Sequence, residues 1–278
     1  MRNTFLIQSA ALVRDTFREA FARKIFWGLF GISTAMILFF LFLMRIDVVE
    51  GAAATYSLFG SNPKDMDLAQ IVKGTYAFIA VFLFSFGMFL AVFASAGLIP
   101  NLLEPGRIEL LLSKPVGRVH LLLGRFVGNL LVVSANTTFL VAGVWVILGV
   151  KTGIWIPHFL VTIFASIFLF TVLLTVVVLT GVAFESAALS TMITVALMIM
   201  SPILAQEKIV VKLLSSEWSR NLWKLLYYAF PKVHDIGAMM LNIVRERPIE
   251  SWMPIWSSAL FASVTLSLAL YIFQRRDF

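Results

Sequence analysis

The chain has 278 residues, of which 60% are hydrophobic and 13% are charged, and its formal net charge is +7. Soluble domains carry about 25% charged residues, so this composition excludes a single water-soluble core and predicts an integral membrane protein. Because Lys and Arg lie beside apolar runs, the positive charge indicates membrane topology and anionic lipid, and no nucleic-acid partner is expected. The chain contains no cysteine, which excludes disulfides, thiolate metal sites and a cysteine nucleophile.

Residues 1–24 predict an amphipathic helix at the cytoplasmic membrane interface. Apolar side chains repeat every four residues at Val13, Phe17 and Phe21, which is typical of such a helix. Charged side chains occupy its other side: Arg14, Asp15, Arg18, Glu19 and Arg23. The alternative explanation for this segment is that its charges only set the membrane topology of the chain. No cleavable signal is expected, because the first apolar run is too long for one.

Six apolar stretches are long enough to span a membrane, and their continuous character favours helices over a β-barrel. They cover 25–44, 76–100, 126–150, 159–182, 187–206 and 254–273. The fourth and fifth come from one run, which as a single helix would extend roughly 80 Å across a hydrocarbon core of about 30 Å. That run is therefore predicted to fold back near Gly181 and Glu185. The predicted fold class is an all-α polytopic membrane protein with one domain over residues 1–278.

Lys and Arg near the spans place both termini on the cytoplasmic side. The loop 101–125 is then cytoplasmic, and the segment 207–253 lies outside. That outer segment holds seven Lys and Arg residues, so an extra crossing there is the alternative. Its apolar residues recur every four positions at Val210, Leu214, Trp218, Leu222 and Leu226. This pattern predicts an amphipathic helix in the interface, which either anchors the chain or covers an exit path.

The sequence holds no motif for nucleotide binding or catalysis. GxxxxGK[ST] and HExxH are absent, and His120, His158 and His234 lack metal-ligand spacing. No Asp, Glu, Lys or Arg lies well inside a predicted span, which argues against an ion-coupled carrier. We therefore expect no catalytic residue, no metal site and no cofactor in this chain.

Two asparagines, Asn129 and Asn136, lie two turns apart on one face of the third span. Hydrogen bonding between helices is the ordinary explanation. Lining of a substrate path is the alternative.

The loop 101–125 combines charge, proline and glycine in a predicted short helix. Pro105 suits the first turn of that helix and Glu104 its positive end, while Pro115 ends it. Such a helix is suited to docking a partner, and a solvated connector is the alternative.

Four sequence stretches resemble ABC-2-type permeases. They are EPGRIELLLSKPVGR at 104–118, LLGRFVG at 122–128, RDTFREA at 14–20 and FQRRDF at 273–278. More narrowly, the chain resembles the permease component of multicopper-enzyme maturation transporters. It departs from the family pattern at Pro105, Arg107, Gly117 and Arg125, where an acid, Thr, Ser and Lys are usual.

The resemblance implies a six-helix permease of a prokaryotic inner or plasma membrane, working as a homodimer with two cytosolic ATPase subunits that bind ATP and Mg²⁺. It also implies that 104–118 is the coupling helix, with the N-terminal helix and the 183–187 turn as further cytoplasmic contacts. The implied ATPase-coupling residues are Glu104, Gly106, Arg107, Glu109, Leu110, Ser113, Lys114, Pro115, Arg118 and Glu185. Those implied on the interface helix are Arg14, Phe17, Arg18 and Glu19.

These observations together favour the transmembrane subunit of an ATP-driven exporter. A scaffold that passes ATPase motion to an outer partner protein, through 45–75 or 207–253, is the alternative. An ion-coupled carrier is a third hypothesis.

Overall fold

The computed structural model describes residues 24–43, 68–103, 106, 117–206 and 216–276, and every regular element in these ranges is a helix. The α-helices are α1 (Lys24–Leu43), α2 (Leu68–Ser95), α3 (Arg118–Thr152), α4 (Val161–Phe184), α5 (Ala187–Leu204), α6 (Glu217–Ala229), α7 (Val233–Val244) and α8 (Met253–Arg275). A 3-10 helix, Pro157–Leu160, precedes α4.

Five helices in the described ranges are long and apolar enough to cross a membrane: α2, α3, α4 with its 3-10 helix, α5 and α8. Two apolar helices are shorter, namely α7 and the Trp27–Phe42 part of α1. The prediction of an all-helical polytopic membrane protein is therefore confirmed. The predicted interface helix at the N-terminus and most of the coupling helix lie outside the described residues.

Helix α3 begins earlier than the third predicted span. It has 35 residues and so extends about 52 Å, which exceeds a hydrocarbon core of about 30 Å. Residues 118–125 of the predicted cytoplasmic loop are thus part of the same helix. Its first residue, Arg118, is also the last residue of the predicted coupling helix.

Helix α4 is the centre of the bundle, in contact with α2, α3, α5, α7 and α8. Leu169, Leu173 and Val177 are fully buried on it. A helix that is apolar on all sides is stable where other helices surround it. The chain then reverses through Glu185, whose φ is +52°, and Ser186, whose hydroxyl accepts a hydrogen bond from Leu189 N at 3.3 Å.

The described part of the segment 207–253 contains two helices of different character. Helix α6 is amphipathic and has no buried residue; Trp218, Leu222 and Leu226 of the predicted pattern lie on it, and Val210 and Leu214 lie outside the described residues. Helix α7 instead packs among α2, α4 and α5 and buries Ile236, Met240 and Val244, among others. At 12 residues, or about 18 Å, α7 is too short for a full crossing.

Close packing between α4 and the turn that follows α2 depends on Gly181. A Cβ atom at this position would lie 2.8 Å from the Cβ of Ile99, which is fully buried. We predict that Gly181→Val lowers the free energy of unfolding by about 1–3 kcal/mol, because the added atoms cannot be accommodated without backbone movement. Thermal unfolding of the detergent-solubilised protein measures this loss.

Gly87→Val is the matched control, since a Cβ at Gly87 meets no atom within 4 Å. Equal melting temperatures for the two variants would contradict the packing argument.

Candidate functional site

Three chain segments meet in a charged cluster at one end of the bundle. Arg118 begins α3, Glu185 lies between α4 and α5, and Arg276 follows α8. We call these three residues the arginine clasp. The clasp lies at the start of α3, and the predicted coupling segment 104–118 ends in its first member, Arg118.

The first half of the clasp joins α8 to the α4–α5 turn. The Arg276 guanidinium forms an ion pair with the Glu185 carboxylate and donates a hydrogen bond to Val182 O. Val182 lies in the last turn of α4, where carbonyl oxygens have no partner within the helix. The planar guanidinium can bind a carboxylate and a carbonyl together because it has five N–H donors.

The second half of the clasp joins α3 to α8. Nη1 of Arg118 donates to Gln274 O at 3.2 Å and to Arg276 O. These carbonyls lie at the negative end of the α8 dipole, where a cation is stabilising. The backbone of Arg276 is thus held by Arg118 while its side chain holds Glu185.

An open groove of about 390 Å³ borders the clasp. Its walls include Ala183 of α4, Tyr271 of α8 and Arg276. The Arg275 guanidinium lies 4.6 Å from the centre of the Tyr271 ring, a cation–π contact that keeps this second arginine beside the groove. The clasp therefore has both positive charge and a concave apolar surface next to it.

The sequence predicted a site at Arg118 and Glu185 but assigned no role to Arg276, which links them. The signal was the terminal FQRRDF stretch, whose paired arginines follow an apolar span. Of the other predicted coupling residues, Gly106 is exposed with φ at +81°, a conformation that favours glycine. Outside the described residues lie Glu104, Arg107, Glu109, Leu110, Ser113, Lys114, Pro115 and, on the interface helix, Arg14, Phe17, Arg18 and Glu19.

The two asparagines of α3 bond to different helices. Asn129 Nδ2 donates to Ser95 Oγ of α2 at 2.7 Å, and Asn136 Nδ2 donates to Ser33 Oγ of α1 at 3.0 Å. Asn136 Oδ1 is buried without a partner, beside a cavity of about 20 Å³. Both described hydrogen bonds are interhelical, and the lining of a substrate path stays a prediction.

A second polar cluster lies at the opposite end of the bundle. Lys73 Nζ of α2 lies 2.6 Å from Glu246 Oε2, and His158 Nδ1 lies 3.7 Å from Glu246 Oε1. The hydrogen bond and charge of Lys73 lower the pKa of the Glu246 carboxyl. This cluster ties the turn after α7 to the start of α2 and to the 3-10 helix.

The Lys232 side chain caps the C-terminal end of α6. Pro231 has no N–H to offer the free carbonyls of that helix, and the Lys232 ammonium donates to Tyr227 O instead. Its Nζ also lies 3.0 Å from the centre of the Tyr227 ring, whose hydroxyl donates to Asp235 Oδ2 at 2.7 Å. Burial lowers the pKa of Lys232 to about 8, while the charge of Asp235 acts in the opposite direction.

Groups of three or more His, Cys, Asp or Glu that could hold a metal ion are absent from the described ranges.

The lowered pKa of Lys232 predicts that stability depends on pH. Between pH 8 and 10.5 the folded lysine binds fewer protons than the unfolded one, so the free energy of unfolding rises with pH across this window. Lys232→Met is expected to remove that rise, which thermal unfolding from pH 7.5 to 11 measures.

Lys224→Met, which removes an exposed lysine of α6, should keep the wild-type pH dependence. If the free energy of unfolding of the Lys232 variant rises with pH as it does in the wild type, burial does not lower the pKa of this lysine.

Residues 10–278 match the family model described as ABC-2 family transporter protein. The comparison with curated proteins found no match. The family match covers nearly the whole chain, including the three residues of the arginine clasp and the predicted coupling helix.

Proposed function

The chain belongs to the ABC-2 transporter family, and we propose that its arginine clasp carries the motion of separate ATPase subunits into the membrane-spanning helices. The protein is the transmembrane component of an ABC-2 type transporter and a non-catalytic membrane subunit. ABC-2 permeases lack an ATPase domain and pair with ABC ATPase subunits. The energy for transport must therefore enter through a contact with those subunits.

The continuity of α3 with the coupling segment supports this route. Arg118 is both the last residue of the predicted coupling helix and the first residue of α3, which has 35 residues. A displacement at its base therefore moves one long helix. Arg118 also bonds the end of α8, and Arg276 bonds the α4–α5 turn, so the same displacement reaches three further helices.

We propose a homodimer with two ATPase subunits, which bind ATP and Mg²⁺ and drive export across a prokaryotic plasma membrane. In this assembly the clasp and both termini face the cytoplasm. The Lys and Arg distribution of the short loops supports the orientation. The narrower likeness to the permease of multicopper-enzyme maturation transporters stays a prediction.

A second candidate function is mechanical transmission to an outer partner protein. The packing of α7 against α2, α4 and α5 favours it, together with the ion pair between Lys73 and Glu246. Motion of α2 would pass through these contacts to the exposed turn after α7. A nucleotide-bound structure separates the two functions, because a sealed dimer favours transmission and a continuous path favours transport.

Reversing charge in the predicted coupling helix tests where the ATPase binds. We predict that Glu104→Arg or Arg107→Glu abolishes co-purification with the co-expressed ATPase subunit, because each places a like charge in the contact. Glu217→Arg is the control, since this exposed acid begins α6 far from the coupling helix in sequence. Transport by the isolated chain without any ATPase would contradict the proposed function.

A charge exchange tests the clasp itself. Arg276→Glu is expected to lower transport per ATP hydrolysed about fivefold, the effect of roughly 1 kcal/mol for a partly exposed ion pair, with ATPase binding retained. The double variant Glu185→Arg with Arg276→Glu should recover part of the coupling.

Arg275→Ala is the control for the neighbouring arginine, which contacts Tyr271 and not Glu185. If Arg276→Glu transports with wild-type coupling, the clasp does not carry the motion.

A further inference from the structure

Helices α2, α5 and α7 surround a cavity of about 460 Å³, within the usual range of ligand pockets. Its walls are apolar except at Ser85 and His234. Methionine side chains from all three helices contribute to it: Met88, Met198 and Met240. Because methionine is flexible and polarisable, such walls adapt to an apolar ligand without a fixed shape.

The cavity lies at membrane depth along α2. Its lining residues on this helix extend from Val81 to Phe89, within the candidate span Val72–Ser95. At the helical rise, these two residues are about 14 and 26 Å along the helix from Val72. The centre of this 24-residue span is about 17 Å from Val72, so the lining residues of α2 lie on both sides of the middle of the membrane.

One edge of the cavity has a defined polar rim. His234 N donates to Ser201 Oγ at 3.0 Å, which fixes the start of α7 against the end of α5. The His234 side chain is exposed at this rim. Gly237 allows α7 to approach α2, because a Cβ there would lie 3.1 Å from Phe84 Cε1.

We propose that this cavity holds one acyl chain of a bilayer phospholipid. A polar solute would lose its hydration among these apolar walls. Val81 and Ile199 of the lining are exposed on spanning helices, so the surrounding lipid can enter from the side. The inference requires only that α2 and α5 span the membrane, and it is independent of the arginine clasp.

A lipid photolabel tests this proposal in the full chain, co-expressed with its ATPase subunit. The probe is phosphatidylcholine with a diazirine midway along one acyl chain, at trace level in vesicles of phosphatidylethanolamine and phosphatidylglycerol. Peptide mass spectrometry should find saturable labelling of the segments that contain Met88, Met198 and Met240. Ala238→Phe fills the cavity from α7 and should reduce labelling there to the level found around Ala135 of α3.

Ala135→Phe is the matched control, because Ala135 is also an exposed alanine on a helix and does not line the cavity. It should leave the cavity labelling unchanged. Ser85→Phe fills the same space from α2 and provides the test if Ala238→Phe does not fold.

Two results would overturn the proposal. Labelling that never saturates and follows side-chain exposure over the whole surface would show contact with bulk lipid only. The second result is cross-linking between copies of the Ala238→Cys variant, with no lipid label in the cavity. It would show that a second copy of the chain fills the cavity.

Discussion

The structure depends on hydrogen bonds to the ends of its helices. Carbonyl oxygens in the last turn have no partner within the helix and cannot stay unpaired in lipid. Among the described residues, four helices solve this problem with a cation from outside the helix. Lys151 donates to Leu41 O, Arg276 to Val182 O, Lys232 to Tyr227 O and Arg118 to Gln274 O. Each contact satisfies a carbonyl, opposes the helix dipole and joins α1, α4, α6 or α8 to another part of the chain.

The lipid environment also determines how the helices pack in the interior of the bundle. Lipid is as apolar as the helices, so burial alone does not drive them together. Close contact at Gly181 and the hydrogen bonds of Asn129 and Asn136 supply specific attraction between neighbours. Helix α4, which is apolar on all sides, lies at the centre. The arginine clasp lies at one end of the bundle, and at the other end Glu246 ties α7 to α2.

Periodicity and run length were sufficient to predict an all-helical membrane protein, because long apolar runs allow few alternatives. They could not place α7, because its twelve residues are mostly apolar but include Asp235. Such a helix fits the surface and the core of the bundle equally well. Periodicity and run length also gave no reason to place Arg276 in the site. Its two partners are Val182 O and Glu185, about ninety residues earlier in the sequence, and no local pattern indicates which chain segments meet at a bundle end. Arg118 and Glu185 were identified only through family resemblance.

The central claim is that Arg276 holds the base of α3, the α4–α5 turn and the end of α8 as one unit. Hydrogen–deuterium exchange of the membrane-embedded complex with Arg118→Ala measures it most directly, because Arg118 bonds the end of α8, and Arg276 in turn joins that end to the α4–α5 turn. The account predicts faster exchange in residues 183–189 as well as in 271–276. Faster exchange confined to 117–122, with both other segments unchanged, would contradict it.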